Sequence, residues 1–135
     1  MNQKITKDIV ADILNIVLCI SAQDGVLSDT EIEKSREEFP AFFNKKISKK
    51  QLDTIVDDFF NSNEQIESYL GKITSDDIKL PILQLTIISA SSDGLEIREN
   101  IAFQKALYIW NYAFEDVIND WPWMCSSTKE RDKDT

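Results

Sequence analysis

The chain contains no histidine, which removes Ser-His-Asp and Cys-His nucleophilic catalysis, imidazole zinc sites and histidine proton switching together. Carboxylates are what remain for chemistry. They gather beside two Asp-Gly dipeptides, with Asp24, Asp29 and Glu31 at the first and Asp93, Glu96 and Glu99 at the second. Acids on segments this short can converge on a hard cation such as calcium, which takes about six to eight oxygens from carboxylates, carbonyls and water. Neither segment is an EF-hand loop, because Ile20 and Ala22 stand four and two residues before Asp24 where that loop carries acids. The same residues have structural uses: Ser28 to Glu31 reads as an S-x-x-E capping box, and Asp24 and Asp93 suit turns. A structural role and a cation or polar-ligand role therefore stand side by side. Asp57-Asp58 and Asp76-Asp77 are adjacent pairs whose members diverge on a helix, and no sugar-binding cleft or oxyanion device accompanies them. The chain is expected not to be an enzyme.

Helices must position these acids. Apolar residues recur with helical spacing along most of the chain, sustained two-residue alternation is absent, and three glycines are too few for a fold built on tight β-turns. The pattern predicts an all-α compact bundle. A first helix capped by Thr6 carries Ile9, Val10, Ile13, Leu14, Ile16, Val17 and Ile20, a stripe broad enough to be buried on most sides. It is expected to be central and to stop at Asp24-Gly25. A second helix runs from the Ser28 capping box through Glu38 and ends before Pro40, with Phe39, Phe42 and Phe43 plugging the core behind it. Ser48 caps a third, with Leu52, Ile55, Val56, Phe59 and Phe60 on one face. A fourth begins near Asn63 and closes at Gly71. The next starts at Thr74 to Asp77 and should break or kink near Leu80, because Pro81 interrupts it. A helix from about Ile97 to Trp110, with Ile101, Ala102, Phe103, Ala106, Leu107 and Trp110 available for burial, and a short one from Phe114 to Asp120 complete the set. Trp110, Tyr112, Phe114, Trp121 and Trp123 read as core with some docking surface. Residues 1–125 make one domain, and 126–135 a flexible polar tail.

Two of the glycines sit in the same local sentence. Leu14 to Phe39 and Leu83 to Ile109 each contain a buried apolar helix, small residues (Ser21, Ala22; Ala90, Ser91), Asp-Gly, a branched residue and an acidic amphipathic helix. Small residues let helices approach closely, glycine turns the chain, and acids favour the positive N-terminus of the next helix. This is an αα-hairpin used twice, and a pseudo-two-fold bundle accommodates it.

The doubled pattern, Ala22-Gln23-Asp24-Gly25 through Glu31 and Ser91-Ser92-Asp93-Gly94 through Glu99, resembles the TerB-like domain. That family is named for the tellurite-resistance protein TerB and is also found fused to DnaJ-type co-chaperones; the resemblance covers roughly Ile5 to Ile118. It implies a bundle of about seven helices, a place in bacterial stress response, and divalent-cation binding, possible for calcium or a similar ion, through acids at the Asp-Gly motifs. By resemblance Asp24, Glu31, Asp93 and Glu99 are the metal residues. The second half departs from the pattern: Asn100 stands where the family has its acid, Glu99 comes one residue early, and serine replaces alanine before Asp-Gly.

A net charge of −9 argues against nucleic acid and anionic membrane as partners, since both are bound by clustered Lys and Arg. The one basic cluster, Lys45, Lys46, Lys49 and Lys50, has no arginine or interleaved aromatic and reads as a solvated loop and helix start. A protein partner is expected. The alternative to the TerB-like reading is an acidic immunity or antitoxin-like protein that masks a basic toxin through Glu33, Glu37, Glu38, Asp57 and Asp58. Neither Ile13 to Ile20 nor Leu80 to Ser92 has the length of a signal or membrane-spanning segment, and Cys19 and Cys125 lack CxxC spacing. Two free thiols in the cytoplasm are the expectation.

Overall fold

A computed structural model describes residues 5–22, 29–89 and 100–119. Among them are seven helices and no strand: α1 (Lys7–Ser21), α2 (Asp29–Phe43), α3 (Lys49–Asn61), α4 (Ile66–Lys72), α5 (Asp76–Ser89), α6 (Ile101–Trp110) and α7 (Phe114–Asn119). The domain is an all-α bundle. No described helix is long and apolar enough to cross a membrane.

The apolar breadth of α1 makes it the central element. Val10, Ile13, Leu14, Ile16, Val17, Leu18 and Ile20 are all buried, and α1 packs against α2, α3, α4, α5 and α6. Each such side chain contributes about 1.5–3 kcal/mol by leaving water. Thr6 caps α1 as its spacing predicts, its hydroxyl accepting from the Ile9 N–H at 3.3 Å. Ser48 does the same for α3, accepting from the Gln51 N–H at 3.0 Å. Ser21 is buried at the end of α1 and Ser89 at the end of α5, while Ala90 and Ser91 lie outside the described residues.

Pro40 and Pro81 both sit inside helices; this overturns the expected end of α2 before Pro40 and, of the break or kink expected near Leu80, excludes the break. α2 runs through Pro40 to Phe43 and α5 runs unbroken through Pro81. An interior proline costs about 3 kcal/mol because one helical donor is lost. In α2 the cost is offset by Phe39 and Phe43, one turn apart on the same buried face with ring centroids 4.7 Å apart. Asn44 then ends the helix in the left-handed region (φ 54°), where asparagine is tolerated, and its N–H donates to the Pro40 carbonyl at 2.8 Å. In α5 the proline falls early, one turn after the exposed first-turn residue Asp77. α2 and α5 form the most extensive helix pair; Pro40, Phe43, Ile78 and Pro81 line a cleft between them.

Further boundaries differ. α4 starts at Ile66 and continues through Gly71 to Lys72. α6 starts at Ile101, not Ile97, because the Asn100 side chain accepts from the Phe103 N–H at 2.9 Å and fixes the helix start at Asn100. Phe60 and Ile101 are exposed rather than buried. Trp110 is core, with Lys79 Nζ 5.8 Å from its ring centroid, and Phe114 meets Phe103 edge to face at 6.0 Å. The expected helix stop at Asp24-Gly25, the Ser28 cap, Trp121, Trp123 and the polar tail lie outside the described residues.

Candidate functional site

Of the four acids assigned to a cation, Asp24, Asp93 and Glu99 lie outside the described residues. Glu31 is described, on the first turn of α2 beside Asp29, where a carboxylate favours the helix dipole. Among the described residues no group of three or more acids or cysteines is close enough to hold a metal ion.

The framework that carries these acids is described, and one side chain joins its two parts. Asn100 Nδ2 donates to the Ile20 carbonyl at 2.8 Å, while its Oδ1 accepts from the Phe103 N–H at 2.9 Å. Ile20 belongs to the last turn of α1, whose closing Ala22 N–H donates to the Leu18 carbonyl at 2.9 Å. The amide thus caps α6 with its oxygen and satisfies an end carbonyl of α1 with its nitrogen. An aspartate could not do both, since an ionised carboxylate only accepts. The family pattern marks this position only as a missing acid; the signal available in sequence was an asparagine directly before an apolar periodic run, the N-cap signature.

The acids assigned to a basic partner are not equivalent. Glu33 is bound by Arg36 through both guanidinium branches, Nε to Oε1 at 3.1 Å and Nη2 to Oε2. That hydrogen bonding holds the Glu33 carboxyl below the ordinary range, and Arg36 Nη1 also donates to the Ile47 carbonyl at 3.2 Å. Arg36, held in place by Glu33, therefore fastens α2 to the linker before α3. Glu37, Asp57 and Asp58 are exposed and Glu38 is half-buried; Asp57 and Asp58 form no ion pair with any described residue.

A third arrangement went unread in the sequence. The end of α3, the start of α4 and one side of α6 enclose a cleft of about 390 Å³ lined by Cys19, Phe59, Phe60, Glu64, Ala102 and Lys105, among others. Its acids are engaged. Ser68 Oγ donates to Glu64 Oε1 at 2.5 Å and Lys72 Nζ lies 3.4 Å from the same oxygen, and these contacts hold the Glu64 carboxyl low. Lys105 Nζ lies 2.9 Å from Glu67 Oε2, ties α6 to α4, and lowers Glu67 in the same way. Burial pushes the Cys19 thiol up to about 12, with Glu67 and Glu64 adding to the effect, so it is protonated and inert as a nucleophile. Asp12 is raised by burial, with Lys72 partly opposing. The chemistry available here is recognition, through a mostly polar lining with the Phe59 and Phe60 rings on one side. Spacing alone did not reveal it, because its walls come from four separate helices and linkers.

No family model, curated protein or solved structure matches the chain.

Proposed function

We propose that this protein is a non-enzymatic TerB-like helical domain that acts by holding a protein partner or a divalent cation in a stress-response setting, with Asp24, Glu31, Asp93 and Glu99 as the working residues. The observation that supports this reading is the Asn100–Ile20 hydrogen bond. Ile20 stands four residues before Asp24, and Asn100 directly follows Glu99, so the bond draws together the described ends from which the two acidic segments depart. A cation needs oxygens from more than one segment, and this tether favours that supply. Thermal melting with millimolar calcium, magnesium or manganese tests the cation version. The melting temperature should rise with one of them, and Asp24→Asn combined with Asp93→Asn should abolish the rise. An unchanged curve with every metal removes the cation and leaves the protein partner.

The second reading, an acidic immunity-like inhibitor of a basic toxin, is favoured by one observation: Asp57 is exposed and unpaired among the described residues, one turn from the exposed Phe60. Carboxylates beside an aromatic anchor suit a cationic protein surface. A toxic basic protein encoded next to this one should co-purify with it and lose toxicity on co-expression. Failure to co-purify overturns that reading.

A further inference from the structure

The four exposed large apolar side chains among the described residues are Phe60 (62%), Ile101 (63%), Tyr108 (86%) and Ile109 (44%). They are not scattered. Phe60 forms part of one wall of the α3/α4/α6 cleft, and the other three are on α6, whose Ala102 and Lys105 form the opposite wall. Ile109 shares the helical face of Ala102 and Lys105, three and four residues apart in turn, while Ile101 and Tyr108 flank it. Phe60 alone of the four lines the cleft; an exposed aromatic on one wall, with further exposed apolar side chains on the helix that forms the other, marks an interaction site.

Charge identifies the occupant. Asp53, Asp57 and Phe60 follow one another at four- and three-residue spacing on the exposed face of α3. The cations bordering the cleft, Lys72 and Lys105, are already bound to Glu64 and Glu67. Asp53 and Asp57 have no ion-pair partner among the described residues, so the exposed face of α3 that presents Phe60 also presents two unpaired carboxylates. A second copy of this chain would bring the same acids and a net charge of −9 to the contact, which opposes self-association.

We infer that this cleft is the docking site for a cationic amphipathic helix of another protein, which seats an apolar side chain between Phe60 and Ala102 and places Lys or Arg against Asp57 and Asp53. The inference rests on the partner-binding reading above but not on the Asp-Gly acids. The apolar face of such a helix would cover Ile109 and Tyr108, and its basic residues would lie one and two turns from the anchor. Electrostatics would speed its arrival and the cleft would hold it.

The test uses the full chain and two synthetic 18-residue amphipathic helices, one of leucine and lysine and one of leucine and glutamate, followed by backbone amide NMR and by affinity measurement. The lysine peptide should shift amides around Phe60, Ala102 and Ile109, and the glutamate peptide should not bind. Phe60→Ser with Ile109→Ser should weaken binding at least tenfold. Asp53→Asn with Asp57→Asn should weaken it several-fold and flatten its salt dependence, while Glu115→Gln on α7 leaves it unchanged. Phe60 and Ile109 lie largely in solvent, so unchanged melting of the variant separates lost binding from lost fold. Undiminished binding by the Phe60→Ser, Ile109→Ser variant, or binding abolished instead by changes at Glu37 and Glu38, overturns the site while the partner reading survives. Cleft shifts that grow with protein concentration without peptide assign the face to a second copy, and no binding of either peptide at millimolar concentration also overturns the inference. The cation reading is untouched by all of these, since none alters Asp24 or Asp93.

Discussion

Asn100 holds the last turn of α1 by donating to the Ile20 carbonyl at 2.8 Å across eighty residues of sequence. The same amide caps α6, so one side chain serves two helix ends.

Substitutions at this position should therefore separate the two contacts. Asn100→Asp keeps an acceptor for the Phe103 N–H but loses the donor to Ile20, and should cost about 1–2 kcal/mol. Asn100→Ala loses both and should cost about 1 kcal/mol more, the usual worth of an N-cap. Urea unfolding of the three proteins measures this; an Asp variant as stable as the parent would show the tether to be energetically idle.

Burial should divide the phenylalanines sharply. Phe103 is fully enclosed and Phe60 is largely exposed. Phe103→Ala should cost about 3–5 kcal/mol, whereas Phe60→Ala should stay within about 0.5 kcal/mol. Equal losses would place Phe60 in the core after all.

Acid should weaken the α4–α6 connection. The Glu67 carboxyl is lowered chiefly by Lys105, and a lowered folded-state pKa means stability present above the ordinary glutamate range and lost as pH falls through the folded value. The contribution is small and screened, since the pair is half in water. Lys105→Met should flatten the fall of melting temperature between about pH 5 and 3, and added salt should reproduce part of that flattening in the parent. A parallel pair of pH curves would sink this assignment.

Asp12 should behave in the opposite sense. Burial raises its folded-state pKa, so stability present below the ordinary aspartate value is lost as pH rises through the folded value. Asp12→Asn should raise the melting temperature at pH 7 and leave it unchanged at about pH 3, where the carboxyl is neutral in both states. A destabilised variant at pH 7 would mean that the attraction to Lys72 outweighs desolvation.

Cys19 should resist alkylation. With its thiol pushed to about 12 from 9.0, its thiolate at pH 8 is about a thousandfold scarcer than for an unshifted cysteine. In a Cys125→Ser background, iodoacetamide at pH 8 should label Cys19 only after denaturation, as read by mass spectrometry. Rapid labelling of the folded protein would contradict the protonated, half-buried thiol.

The elements that periodicity and capping predict are those whose signals are local. Thr6 and Ser48 cap where their sequence places them, and the unbroken apolar stripe of α1 could only be buried by neighbours on most sides. Pro40 misled because a local rule about a missing donor competes with distant packing: burial of Phe39 and Phe43 keeps α2 helical past its proline. Phe60 and Ile101 misled because apolar type was read without phase. At about 100° per residue, Phe60 falls off the side of the Leu52, Ile55, Val56 and Phe59 stripe, and Ile101 falls opposite Ala102, Phe103 and Ala106. That same misfit, read as apolar residues left over once the core is satisfied, is the one trace of the α3/α4/α6 cleft in the sequence. The Asn100 tether had no trace as a long-range contact, since nothing local to Asn100 names Ile20.

The central position of α1 has a bearing on how the chain comes into being. Its apolar stripe leaves the ribosome well before α4, α5 and α6, the helices that cover it, so for much of synthesis the most water-averse segment of the domain has no native shelter. A nascent chain halted before α5 would expose Leu14, Ile16 and their neighbours to other chains, and such uncovered surface is what chaperones hold and aggregates recruit.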